Sequence, residues 1–126
     1  MAVTPSPDKT ILLVEDSAVV RNMLMQIIEN EGYQVSCATN GVEALELLHK
    51  KPPPRLILLD RMMPLMNAEE FLRERRSDPT LATIPVIIIS SYSQDERSFG
   101  LHNIDGYLEK PIDLSTLLDT VRHYCD

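Results

Sequence analysis

The sequence predicts an α/β domain built on a doubly wound, mainly parallel five-stranded sheet with helices on both faces. Three observations lead there. Five short apolar runs recur along the 126 residues, at Ile11–Glu15, Gln34–Ala38, Leu56–Asp60, Val86–Ser90 and Gly106–Lys110. Three of these runs are nearly continuous in Val, Ile and Leu, the composition of strands covered on both faces. Segments with helical spacing lie between them, and strand alternating with helix five times leads to a parallel sheet with right-handed crossovers.

After the first run, Asp16-Ser17 opens a helix whose Val20, Leu24, Ile27 and Ile28 share one face, and Gly32 stands where a left-handed stop is wanted. Asn40 and Glu43 then have the spacing of a capping box ahead of Val42, Leu45 and Leu48. Pro52-Pro53-Pro54 ends that helix and leads into the third strand. Asn67 and Glu70 repeat the capping spacing before Phe71 and Leu72. Between the fourth and fifth strands, Gln94 to Gly100 has poor apolar periodicity, so the fourth helix is expected to be short or irregular. Asp113 opens the last helix, with Leu114, Leu117, Leu118 and Val121 at i, i+3, i+4 and i+7.

The bulk properties fit one soluble domain. Hydrophobic residues make up 44% and charged residues 25%, enough apolar material for a core at this length. The net charge of −7 weighs against nucleic acid as a direct partner, because such a partner needs a basic surface. Cys37 and Cys125 form no CxxC pair, and no zinc-spaced His/Cys cluster accompanies them, which fits a reducing compartment. Residues 1–9 are polar, contain two prolines and lack the apolar core of a signal peptide. The expectation is a flexible segment over 1–9, a single domain over 10–126, cytoplasmic localisation and no membrane association. His49, His102 and His123 fall near helix ends or in the irregular stretch, where a surface position is expected.

In a doubly wound sheet the reactive groups lie outside the carboxyl ends of the strands. Those ends read Glu15-Asp16, Asp60, Ser90 and Lys110-Pro111. Each has a plain explanation alone: a helix cap, a turn hydroxyl, a solvated charge before a proline. Together they make a chemical problem. Three carboxylates at one edge need a cation, a proton or a lysine to coexist. Oxygen-only ligands favour a hard ion, and Mg²⁺ retaining several waters fits best. A carboxylate nucleophile flanked by a lysine and a hydroxyl is suited to a phosphoryl group.

These residues sit in four segments: ILLVEDS (Ile11–Ser17), LILLDRMMP (Leu56–Pro64), PVIIIS (Pro85–Ser90) and GYLEKP (Gly106–Pro111). In that order and at those intervals the chain resembles the receiver domains of two-component response regulators, from about Ile11 to its C-terminus. The resemblance implies a flavodoxin-like strand order, 2-1-3-4-5. It implies that Asp60 takes a phosphoryl group from the phosphohistidine of a sensor histidine kinase or phosphotransfer protein. It further implies Mg²⁺, with Mn²⁺ able to substitute, bound by Asp16, Asp60 and the backbone carbonyl of Met62, with Glu15 acting through a coordinated water. Lys110 would pair with the phosphate, the Lys110-Pro111 peptide would be cis, and Ser90 with Tyr107 would form the switch pair. The signal would leave through contacts with an unidentified downstream protein, with no enzymatic activity beyond the domain's own phosphoryl transfer and slow self-dephosphorylation.

The chain departs from the family pattern at Ala68 and Asn103, where glycine is usual, and at Ser91, where a very small residue is usual. The interval from Ser90 to Tyr107 is also shorter than usual, which implies an idiosyncratic output face. Met62 and Tyr92 are bulky and cannot position a hydrolytic water, hence the slow dephosphorylation. Two rivals are weighed. A degenerate receiver acting only as an interaction module would have lost acids that are all present. A flavodoxin-like enzyme or nucleotide binder would need GxGxxG or GxxxxGK[ST] after the first strand, where the chain reads Glu15-Asp16-Ser17-Ala18.

Overall fold

The computed structural model describes residues 9–61, 65–90 and 104–126. The elements run β1 (Thr10–Val14), α1 (Ala18–Glu29), β2 (Gln34–Ala38), α2 (Gly41–Lys50), β3 (Leu56–Asp60), α3 (Ala68–Arg76), β4 (Val86–Ser90), β5 (Gly106–Glu109) and α4 (Leu114–Cys125). All strand pairs are parallel, in the order β2-β1-β3-β4-β5. This is the predicted doubly wound sheet, with β1 beginning and ending one residue earlier than its apolar run and β5 ending one residue earlier. The expected irregular helix over residues 94–100 lies outside the described residues. So do residues 1–8, Met62, Pro64, Ser91, Tyr92, His102 and Asn103.

The period-two alternation of each strand divides the core in two. Leu12, Val14, Ile57, Leu59, Val86 and Ile88 face Ala44, Leu48, Phe71 and Leu72 of α2 and α3. Ile11, Leu13, Leu56, Leu58, Ile87 and Ile89 face Leu24, Ile28, Leu117 and Val121 of α1 and α4. Because both faces are covered, β3 and β4 are buried at every position.

Local signals set the helix boundaries. The side chains of Ser17, Asn40, Asn67 and Asp113 each accept a hydrogen bond from a first-turn backbone N–H. At α3 the box is reciprocal: Glu70 N donates to Asn67 Oδ1 (2.9 Å) and Asn67 N donates to Glu70 Oε1 (3.3 Å). At α2 the same spacing gives a different result, because Thr39 Oγ1 donates to Glu43 Oε2 (3.0 Å) and engages the carboxylate. Gly32 has φ of 95°, the left-handed stop expected after α1. Lys9, the last residue of the expected leading segment, pairs with Asp126 (3.4 Å). Asp126 also accepts from the Tyr33 hydroxyl (3.0 Å), tying the chain's last residue to the α1–β2 turn.

Candidate functional site

Backbone hydrogen bonds extend the sheet ladder just beyond several strands. Glu15 N donates to Ala38 O (3.0 Å), Arg61 N to Ile89 O (3.0 Å) and Lys110 N to Ser90 O (2.8 Å). The residues that end β1, β3 and β5 are therefore fixed by main chain rather than carried on free loops. The register does the rest: Asp60 pairs with Ile89, and Ser90 with Glu109.

This brings Glu15, Asp16 and Asp60 together, with one carboxylate oxygen from each within 4.8 Å of the others. Glu15 and Asp60 are buried, at 1% and 4% exposure, while Asp16 faces solvent. Lys110 Nζ lies 3.2 Å from Glu15 Oε1 and 3.6 Å from Asp60 Oδ1, serving both carboxylates at once. Ser90 is buried beside them at the end of β4. The Lys110-Pro111 peptide is cis.

One ammonium does not neutralise this cluster. The carboxyl of Glu15 is pushed up to about 8, first by burial and then by the close approach and charge of Asp60; Lys110 opposes both. Its Oε2 is buried with no hydrogen-bond partner among the described residues. An acceptor-rich oxygen set with an orphaned buried lone pair suits a hard divalent cation, whose own charge would let all three acids ionise. Glu15, Asp16 and Asp60 are the side chains that could hold it. Met62, expected to add its backbone carbonyl, lies outside the described residues.

Tyr107 is half-buried on β5, opposite Ile88, and packs against the core under α2 and α3. Ser90 continues the alternation of Val86 and Ile88 and so shares that sheet face. His49 and His123 are exposed and outside the site.

Two arginines escaped the sequence reading. Arg21 Nη1, on α1, donates to the carbonyl oxygens of Glu15 (2.9 Å) and Asp16 (3.4 Å). A cation in the opening turns of a helix, against the macrodipole, was the signal available for it. Arg61, immediately after Asp60 and only 8% exposed, pairs with Glu69 of α3 at 2.7 Å. Shortly before α3, Met66 packs on Gly41. A Cβ at Gly41 would come within 2.8 Å of Met66 Cγ, so glycine permits the close approach.

Comparison with known proteins gives a consistent result. Residues 11–122 match the family described as the response regulator receiver domain. The chain is 30% identical over 118 residues to the polar-differentiation response regulator DivK of Brucella anthropi, covering 92% of this chain and 95% of that protein. The signal receiver domain of a signal transduction histidine kinase from Syntrophus aciditrophicus superposes with a TM-score of 0.84 at 33% identity, covering 93% of this chain and 89% of that one. Chemotaxis response regulator CheY4 of Vibrio cholerae gives 0.83 at 29% identity, covering 91% and 97%. The chain also matches two transcriptional regulatory proteins, of whose lengths it spans 47% and 49%.

Proposed function

The chain belongs to the response regulator receiver domain family, whose members are phosphorylation-switched signalling domains, and on that premise we propose that Asp60 is its phosphoacceptor. The observation that carries this reading is the placement of Lys110 Nζ between Glu15 and Asp60 at the carboxyl ends of β1 and β3. The donor is the phosphohistidine of a sensor kinase or phosphotransfer protein. An oxygen of Asp60 attacks phosphorus, the new P–O bond forms as the P–N bond breaks, and the bonding pair leaves on the imidazole nitrogen, which takes up a proton. The result is an aspartyl phosphate and a neutral histidine.

Lys110 offsets the charge on the incoming phosphoryl oxygens, and the Ser90 hydroxyl donates to one of them. Asp16, Asp60 and the Met62 carbonyl would hold Mg²⁺, with Glu15 acting through a coordinated water, and Mn²⁺ would suit the same oxygens. When bound, that ion supplies charge neutralisation between the carboxylates and the phosphoryl oxygens. Ser90 and Tyr107, on one face of the sheet, form the element that changes state: the hydroxyl moves to the phosphoryl oxygen and the ring turns inward.

The modified domain acts through protein contacts, and its catalysis is confined to its own phosphoryl transfer and slow self-dephosphorylation. No described helix is long and apolar enough to cross a membrane. The free thiols of Cys37 and Cys125 agree with work in the reducing cytoplasm.

Incubation with a small acyl phosphate and Mg²⁺, followed by intact-mass measurement, tests the central claim. Wild type should gain one phosphate and Asp60→Asn none; an adduct that survives in Asp60→Asn would place the acceptor elsewhere. Without a phosphatase the adduct should persist, because Met62 and Tyr92 offer no group to orient a hydrolytic water. Loss within seconds would contradict that second point.

A further inference from the structure

Arg21 breaks a local rule. It is the fourth residue of α1, a helix with no acidic residue in its first turn to offset it, and its charge opposes the positive end of the helix dipole. Such a violation is expected where a site outside the helix compensates for it. The compensation here is geometric. Arg21 Nη1 reaches back over the β1–α1 turn to the carbonyls of Glu15 (2.9 Å) and Asp16 (3.4 Å). The peptide N–H of Glu15 is already committed to Ala38 O (3.0 Å). The backbone of Glu15 is therefore held from two sides, by β2 through its N–H and by α1 through its carbonyl.

From this geometry we propose that Arg21 is a positioning residue for the divalent-cation site. It fixes the turn that presents the Glu15 and Asp16 carboxylates toward Asp60. The proposal rests on the metal-dependent reading of the acidic cluster and adds a residue that touches neither the cation nor the phosphoryl group. Two opposed effects of Arg21 on a bound cation can be told apart by sign. As a nearby positive charge it repels the cation, so its removal would tighten binding. As the holder of the turn it preorganises the ligands, so its removal weakens binding. The hydrogen bonds, made to the two residues whose side chains belong to the cluster, indicate that the second effect wins.

The test is Mn²⁺ binding to the whole chain, read by the loss of the free-ion electron paramagnetic resonance signal, in wild type, Arg21→Ala and Arg21→Lys. Ligand-orienting partners typically contribute about 10- to 100-fold in metal affinity, and for this half-exposed guanidinium the loss in Arg21→Ala should be about 10-fold. Arg21→Lys, which keeps the charge and one donor, should recover part of it. Urea unfolding in EDTA is measured alongside. Unchanged or tighter Mn²⁺ binding in Arg21→Ala, with or without a lower unfolding midpoint, would overturn the positioning role. If wild type itself binds no Mn²⁺, both the proposal and the metal reading of the cluster fall. If wild type binds and loses Mn²⁺ in Asp16→Ala but not in Arg21→Ala, only the role of Arg21 falls.

Discussion

At the carboxyl end of the sheet, Glu15 and Asp60 lie buried with Lys110 as their shared cation. At the amino end, Arg75 of α3 lies equally buried, at 3% exposure, and donates through Nη2 to the carbonyls of Ala82 (2.9 Å) and Ile84. Burial lowers the pKa of Arg75 while nearby Asp105 raises it. The two ends treat buried charge differently. Arg75 faces carbonyl dipoles of complementary sign in the loop it closes, and these with Asp105 offset part of the cost of burying its charge. Glu15 and Asp60 face each other, and the fold brings them together although their charges oppose it. Conflict of that kind persists at sites whose partner arrives from outside.

This contrast can be broken at several points. The largest expected effect is at the amino end. Arg75→Met should lose about 3 kcal/mol of unfolding free energy in urea, because buried carbonyls are left without their charged donor. A loss well below about 1 kcal/mol would mean that water replaces the guanidinium and that the two ends differ less than their geometry suggests.

Next comes the pH dependence of the metal-free protein. Glu15 is raised from its ordinary 4.5 to about 8, so the folded state holds its proton more tightly than the unfolded state. The associated stability is fully present below about pH 4.5, declines as the pH rises, and is gone above about pH 8. In EDTA the unfolding free energy should fall by on the order of 2 kcal/mol across this window in wild type, and Glu15→Gln should flatten that slope. An equal slope in the variant would remove Glu15 as its source.

Gly41→Ala should cost about 1 kcal/mol, since its Cβ would press on Met66 and displace the β3–α3 loop. Its yield of phosphate adduct should fall more than its stability does, as the loop adjoins Asp60. The smallest effect is expected at the C-terminal tie. Tyr33→Phe removes the hydroxyl bond to Asp126 and should cost about 0.5 kcal/mol, with phosphorylation unchanged.

Much of this was legible along the chain because it is encoded locally. The apolar runs through Leu56–Asp60 and Val86–Ser90 have the pattern of strands covered on both faces, and both are buried at every position. Three N-caps were readable from Asn40, Asn67 and Asp113 and the first was narrowed to Asp16 or Ser17, since capping is decided within three or four residues. The limits of local reading show at Glu43. Its spacing from Asn40 suits a reciprocal box, but the side chain is engaged by Thr39, and nothing in the spacing distinguishes those two partners. Arg21 and Arg61 were missed for a related reason. A long flexible cation has no periodicity of its own, and its role depends on which carbonyl or carboxylate comes within reach.

The sequence by itself determined the alternating elements, their caps, and which acids, hydroxyl and lysine end the strands. Those features follow from side-chain period and backbone chemistry, which act between near neighbours. Only the tertiary structure decided that Lys110 serves both Glu15 and Asp60, that Glu15 Oε2 has no described hydrogen-bond partner, and that Arg21 closes over the acidic turn. These depend on strand order and register, which bring residues 15, 60 and 110 to one edge. Electrostatic conflict is a property of distance and burial, and neither exists until the sheet has formed.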